Sequence, residues 1–201
     1  MVVSGKSLVL GVFGDPVAHS LSPQMHARFA QETGADTVYV PFRVRPENLE
    51  TALAALPSLG ICGVNITVPH KEAVFRLLTD QTEAARAIGA VNTVMVEEDG
   101  LRGDNTDAEG FRADLAANLG HTGWETGPVV VLGAGGAARA VVHALQRSGV
   151  PEILVANRTV EKGEALVSEL APEQGQAVPL PSDHLAAAKG RARLLVNTTS
   201  V

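Results

Sequence analysis

Short apolar, β-branched runs alternate along this chain with longer stretches in which apolar residues recur every three or four positions. That alternation predicts strands followed by helices, and hence mostly parallel sheets covered by helices. Leu8 to Phe13 reads as the first strand. Ser22-Pro23 opens a helix that stops at Gly34, with a capping hydroxyl, a proline in the first turn and a glycine past the end. Thr37 to Val44 is a second strand, Pro46 to Leu56 a helix, and Ile61 to Val68 a third strand. Short helices follow at about 71–78 and 80–88. "AVNTVMVEEDGLRGDNTD" reads as a hairpin turning at Asp99-Gly100 and running into a helix over about 106–119. "GHTGWETG" is the loosest stretch, and it sets the expected organisation: an α/β domain over 1–104, a connecting helix and linker over 105–122, and a second α/β domain over 123–201.

In the second half, "PVVVLGAGGAARAVVHALQRSG" predicts a buried strand, a glycine turn and an amphipathic helix. Ala138, Val141, Val142 and Leu145 share one face of that helix. Glu152 to Ala156, a stretch near Ala177 to Leu180, and Arg193 to Val196 are further strands with helices between them.

Composition narrows the function. The chain is 45% hydrophobic and 19% charged, as expected of a soluble α/β protein. Aromatic residues are 3% and the net charge is −6, which argues against a nucleic-acid surface. The lone Cys62 allows no internal disulfide and fits a reducing compartment. No run of about 18 apolar residues suggests a membrane span, so the expected location is cytoplasmic. The six histidines (19, 26, 70, 121, 143 and 184) show no ligand spacing, so no metal is expected.

"GAGGAA" fits the dinucleotide fingerprint with alanine in third place: Gly133, Gly135, Ala138. Gly133 would allow the tight turn, Gly135 the close approach of a pyrophosphate, and Ala138 close packing of helix on sheet. The fingerprint sits between a strand and a helix, which favours it over a mere turn. Where NAD-binding folds put an acid after the second strand, this chain has "NRT", Asn157-Arg158-Thr159. A guanidinium there suits the 2′-phosphate of NADP, although a surface charge is the plainer alternative. In the usual strand order 3-2-1-4-5-6, the "NTTS" after the fourth strand, with Thr198 and Thr199, would face the nicotinamide half. Two further strands would complete that sheet, so the chain reads as C-terminally truncated.

The first half carries a second constellation. In "VNITVPHK", Asn65 and Thr67 are polar groups two apart on one strand face, and Lys71 follows. "HSLSP" adds Ser20 and Ser22, a seat for a carboxylate at a helix start; "AVNT" adds Asn92 and "DNTD" adds Asp107. Each has a bland reading: Ser22 as a cap, Asn92 as a turn residue, Lys71 as a solvated charge, Asp107 as a helix-start acid. Jointly they describe a pocket for a small hydroxylated acid beside a cofactor fold.

The ordered series "SLSPQMH", "NITVPHK", "GAVNT", "GDNTD", "GAGGAARA", "NRT" and "NTTS" resembles the shikimate dehydrogenase family from Val9 to Val201. The resemblance implies a substrate domain followed by a doubly wound Rossmann-type domain, and NADP-dependent reduction of 3-dehydroshikimate to shikimate on the route to aromatic amino acids. It implies that Ser20 and Ser22 hold the substrate carboxylate, that Thr67, Asn92 and Asp107 bind its hydroxyls, and that Lys71 acts as acid/base paired with Asp107. It implies Glu83 near the cofactor, and NADP held by Gly133, Ala134, Gly135, Gly136 and Ala137 and by Asn157, Arg158, Thr159, Val160, Glu161 and Lys162. Family members continue some sixty residues past "NTTSV", with a substrate-contacting glutamine, so this chain alone is expected to be weakly active or inactive. The expected state is monomer or homodimer. Rival readings are a quinate/shikimate dehydrogenase using NAD, a non-catalytic NADP-binding regulator, and a sibling fold acting on a folate or glutamyl substrate.

Overall fold

The computed structural model describes residues 3–120, 123–181 and 190–199. The helix expected before the last strand, His121 and His184 lie outside the described residues. The chain divides into two compact units, Met1–Asn105 and Thr106–Val201.

The first unit contains β1 (Leu8–Gly14), α1 (Ser22–Thr33), β2 (Thr37–Arg43), α2 (Leu49–Ala55), β3 (Ile61–Ile66), α3 (Lys71–Leu77), β4 (Asp80–Gln81), α4 (Glu83–Ile88), β5 (Thr93–Glu97) and β6 (Gly100–Asp104). Its sheet runs β2-β1-β3-β5-β6-β4. β1 pairs in parallel with both β2 and β3, while the hairpin strand β5 runs antiparallel to β3 and β6. The apolar positions of the strands explain the covered face. Phe13, Val64, Ile66 and Val94 form one buried core with Leu49, Leu53, Leu56 and Val74. Each such side chain contributes about 1.5–3 kcal/mol by leaving water.

Four local readings are corrected. Ser22 is the first residue of α1 rather than its cap; Leu21 occupies the cap position without a side-chain bond, and Gly34 ends the helix in the left-handed region at φ 69°. The segment expected to be helical from 46 begins as a 3-10 turn, Pro46–Asn48, before α2. The segment 80–88 is not one helix. Asp80 and Gln81 pair in parallel with Arg102 and Gly103, and α4 starts only at Glu83, capped by Thr82, whose Oγ1 accepts from the Ala85 N–H at 3.2 Å. Edge pairing with β6 outweighs the weak local helix preference there. Finally, β3 stops at Ile66, because Pro69 offers no N–H to extend the ladder. Thr67 lies just beyond it, its N–H still bonded to the Phe13 carbonyl at 2.9 Å.

The second unit contains α5 (Asp107–Leu119), β7 (Val129–Leu132), α6 (Gly136–Arg147), β8 (Ile153–Asn157), α7 (Val160–Leu170), β9 (Gly175–Pro179) and β10 (Leu194–Asn197). The sheet order β9-β8-β7-β10, all parallel, is the 3-2-1-4 portion of the expected doubly wound arrangement. The α6 stripe of Ala138, Val141, Val142 and Leu145 is buried on Val129, Val131, Ile153 and Val155, and Leu115 of α5 and Trp124 join the same core. The helix read as a connector therefore packs with the second unit. Among the described residues, no helix is long and apolar enough to cross a membrane.

Candidate active site

In the first unit, main-chain bonds gather the chemistry-bearing segments at one end of the sheet. The Ile66 N–H bonds the Asn92 carbonyl at 2.7 Å, and the Val91 N–H bonds the Lys71 carbonyl at 2.9 Å. The Asp15 N–H bonds the Val68 carbonyl at 3.0 Å, tying the loop that leads to Ser20 and Ser22 to the end of β3. Gly14 makes this closure possible, since a Cβ there would meet the Thr67 methyl at 2.5 Å. Ser20 Oγ accepts from the Ser22 N–H at 3.3 Å, so the two serines share one turn at the start of α1. His70, the residue before α3, is buried with a ring nitrogen 2.7 Å from the Val44 carbonyl, and so fixes where Lys71 begins the helix.

Asn65 lies within β3, and its amide is held at both ends. The Tyr39 hydroxyl donates to Asn65 Oδ1 at 2.7 Å, and Asn65 Nδ2 donates to Thr93 Oγ1 at 3.2 Å. Thr93 Oγ1 in turn donates to Asn92 Oδ1 at 2.9 Å. Tyr39 also takes a hydrogen bond from the Ser22 side chain, and its ring is stacked on His26 with centroids 3.9 Å apart and planes 8° apart. Burial pushes the Tyr39 phenol up to about 12 from an ordinary 10.0, with the Ser22 bond a smaller opposing influence. Between those two pH values the folded chain keeps a proton that the unfolded chain loses, so this group makes stability fall as pH rises across that window. Burial also lowers the pKa of His26, which favours the neutral ring. Tyr39, Thr93 and His26 carried no signal in the sequence: their part depends on β2, β3, β5 and α1 meeting.

Asn105 of "GDNTD" is buried, with Nδ2 donating to the Ala90 carbonyl at 2.8 Å. Asp104 Oδ1 accepts from Thr82 Oγ1 at 2.5 Å and from the Asn105 N–H at 2.8 Å. This motif thus braces the hairpin end that carries Asn92 and precedes Asp107, the first residue of α5 in the second unit. Glu83 is exposed at the start of α4, in the first unit.

The second unit carries the glycine turn. Gly133 has φ 102°, and a Cβ there would meet Thr198 Oγ1 at 2.7 Å. Gly135 differs: a Cβ on it would enter open space, the volume a ligand at the start of α6 would use. The first N–H groups of α6, from Gly136 and Ala137, have no carbonyl within their helix to bond and face that space with the positive end of the helix dipole. After β8, Asn157 Nδ2 donates to the Thr159 carbonyl at 2.7 Å, shaping a turn that leaves Arg158 exposed. No acid stands at Asn157 to Thr159, and half-buried Val160 opens α7, followed by exposed Glu161 and Lys162. A glycine turn, open space at a helix N-terminus and a guanidinium beyond the second strand fit a dinucleotide carrying a 2′-phosphate. Thr198 uses its hydroxyl on the Leu132 carbonyl at 2.6 Å and braces the glycine turn, while Thr199 Oγ1 donates to Asn197 Oδ1 at 2.7 Å.

Comparison with known proteins agrees with both halves. The profile described as shikimate dehydrogenase substrate binding domain matches residues 12–94, and that of shikimate / quinate 5-dehydrogenase matches residues 114–199. The chain is 48% identical over 206 residues to a shikimate dehydrogenase (NADP+) of Geobacter metallireducens, covering 100% of this chain and 71% of that relative. The Aquifex aeolicus shikimate dehydrogenase structure has a TM-score of 0.86 at 36% identity, covering 100% of this chain and 71% of that one. The Thermus thermophilus shikimate 5-dehydrogenase in complex with NADP(H) and shikimate has a TM-score of 0.81 at 42% identity, covering 96% and 68%. With its substrate-side segments converging on one sheet end, its glycine turn on a 3-2-1-4 sheet, and relatives of this likeness along its whole length, the chain belongs to the shikimate dehydrogenase family.

Proposed function

We propose that this protein is an NADP-dependent oxidoreductase that reduces 3-dehydroshikimate to shikimate, a reaction of aromatic amino-acid biosynthesis. The observation that carries the reading is the convergence of the segments bearing Ser20, Ser22, Asn65, Thr67, Lys71 and Asn92 at one end of the first unit's sheet. Residues 1–104 bind substrate, and residues 123–201, reached through 105–122, bind cofactor. The serine hydroxyls at the start of α1 take the substrate carboxylate, and the amides and Thr67 take its ring hydroxyls. Gly133 to Ala137 cradle the pyrophosphate, Arg158 with Asn157, Thr159 and Lys162 takes the 2′-phosphate, and Glu83 and Thr199 are assigned to cofactor binding.

NADPH supplies the hydride that adds to the substrate's ketone carbon. The carbonyl π electrons then reside on oxygen as an alkoxide, which takes a proton from the Lys71 ammonium to become the product hydroxyl. Lys71 is left as the amine and regains a proton from solvent. Asp107 is the acid assigned to the pair with Lys71 in this proton transfer. The small-acid seat favours this reading over a regulator that binds cofactor alone, and Arg158 favours NADP over NAD. The test is consumption of NADPH on addition of 3-dehydroshikimate. Turnover with shikimate as product supports the reading. Cofactor binding without turnover in the intact protein overturns it.

A further inference from the structure

The Tyr39 hydroxyl sits between two groups assigned to different parts of the substrate. It accepts from Ser22 and donates to Asn65 Oδ1 at 2.7 Å. Onward, Asn65 Nδ2 donates to Thr93 at 3.2 Å, and Thr93 donates to Asn92 Oδ1 at 2.9 Å. Every donor in this chain of four bonds points the same way, from Ser22 to Asn92, so each bond polarises the next. It borders a groove of 220 Å³ lined in part by Tyr39, Asn65 and Thr93. The ring is held flat against His26, so the hydroxyl has little freedom to leave. With Oδ1 taken by the phenol, the Asn65 amide has a single orientation, nitrogen toward β5.

We propose that Tyr39 is a positioning residue that couples the carboxylate seat at Ser22 to the hydroxyl-binding amides at Asn65 and Asn92, so that only a ligand carrying a carboxylate charge alters the bond from Tyr39 to Asn65. The proposal rests on the substrate-site reading above. A carboxylate arriving at Ser22 takes the serine proton away from Tyr39. The phenol oxygen then keeps a lone pair in place of that bond, and the bond to Asn65 is the one through which the change passes.

Tyr39 is the only tyrosine of these 201 residues, and the spectrum of Tyr39→Phe subtracts the signal of any tyrosine beyond them. In the intact protein, shikimate should perturb the ultraviolet difference spectrum of this tyrosine, and the neutral methyl ester of shikimate should not. Tyr39→Phe keeps the ring on His26 and removes the hydroxyl; KM for 3-dehydroshikimate should rise roughly tenfold, as for one lost hydrogen bond, with kcat and the KM for NADPH changed less than about twofold. Ser22→Ala and Asn65→Ala separate the two readings. If both raise KM while Tyr39→Phe leaves it unchanged, the positioning role is overturned and the site reading stands. If neither raises KM, the site reading falls and takes the positioning role with it. Should Tyr39→Phe lower the yield of folded protein, the difference spectrum decides on the unaltered chain: a tyrosine band unmoved by shikimate at saturating concentration overturns the proposal.

Discussion

Lys71 and Arg158 show how a single position can concentrate chemistry. Lys71 opens α3, its carbonyl anchored by the Val91 N–H at 2.9 Å, so its backbone is fixed at the sheet end. As the proton donor, Lys71→Ala should lower kcat by about 10² to 10⁴ with little change in KM, since the alkoxide is met only in the transition state. Steady-state kinetics on the purified variant check this, and near-normal kcat would remove Lys71 from the mechanism. Arg158 makes its contribution through charge and paired donors. Arg158→Ala should weaken NADP binding by about 1.5–3 kcal/mol, the range for hydrogen bonds to charged groups, and leave NAD binding nearly unchanged. Titration calorimetry with both cofactors reads the difference, and parallel losses for the two would deny Arg158 a role in choosing between them.

At the scale of elements, the β7 turn and α6 separate two glycines that look alike in sequence. Gly133 adopts φ 102° and is closed in by Thr198, so Gly133→Ala should destabilise the fold by about 1–3 kcal/mol, the usual cost of a non-glycine residue in a disfavoured backbone region plus steric contact. Gly135 has an ordinary backbone and open space before it. Gly135→Ala should leave the unfolding midpoint unchanged yet weaken NADP binding by about tenfold or more, because the methyl group enters the space needed by the pyrophosphate. Denaturant unfolding and cofactor titration on the two variants distinguish the roles; equal stability losses would refute the distinction. The glycine spacing was legible as a fingerprint, but which glycine serves the turn's packing and which the ligand follows from Thr198 and β10, some sixty-five positions away. The edge strand β4 was illegible for a similar reason. Nothing local in Asp80-Gln81 favours a strand; the partner residues Arg102 and Gly103 supply the bonds.

For the whole molecule, each of the two units holds its own buried core, built on its own sheet. Ligands that belong to separate units should therefore protect separate amides. NADP+ alone should slow hydrogen exchange at the first turns of α6 and α7. Shikimate alone should slow it around residues 20–22, 65–71 and 91–93. Exchange followed by mass spectrometry checks this, and protection of the 65–71 segment by NADP+ alone would contradict the assignment of substrate and cofactor to different units.

The sequence by itself determined the alternation of strands and helices, the apolar stripe of α6, the glycine fingerprint, the absence of an acid after β8, and the inventory of hydroxyls, amides and one lysine. These are local properties, carried by periodicity, turn chemistry and spacing within a few tens of residues. Only the tertiary structure decided that Asn65 is held between Tyr39 and Thr93, that Thr198 braces Gly133, that Asn105 secures Ala90, and that Ser22 sits inside its helix with Ser20 before it. Each of these is a side-chain contact between segments whose nearness is set by strand register and helix docking. A hydrogen bond requires its partners within about 3 Å, and pairs brought together by folding leave no periodicity in the chain to announce them.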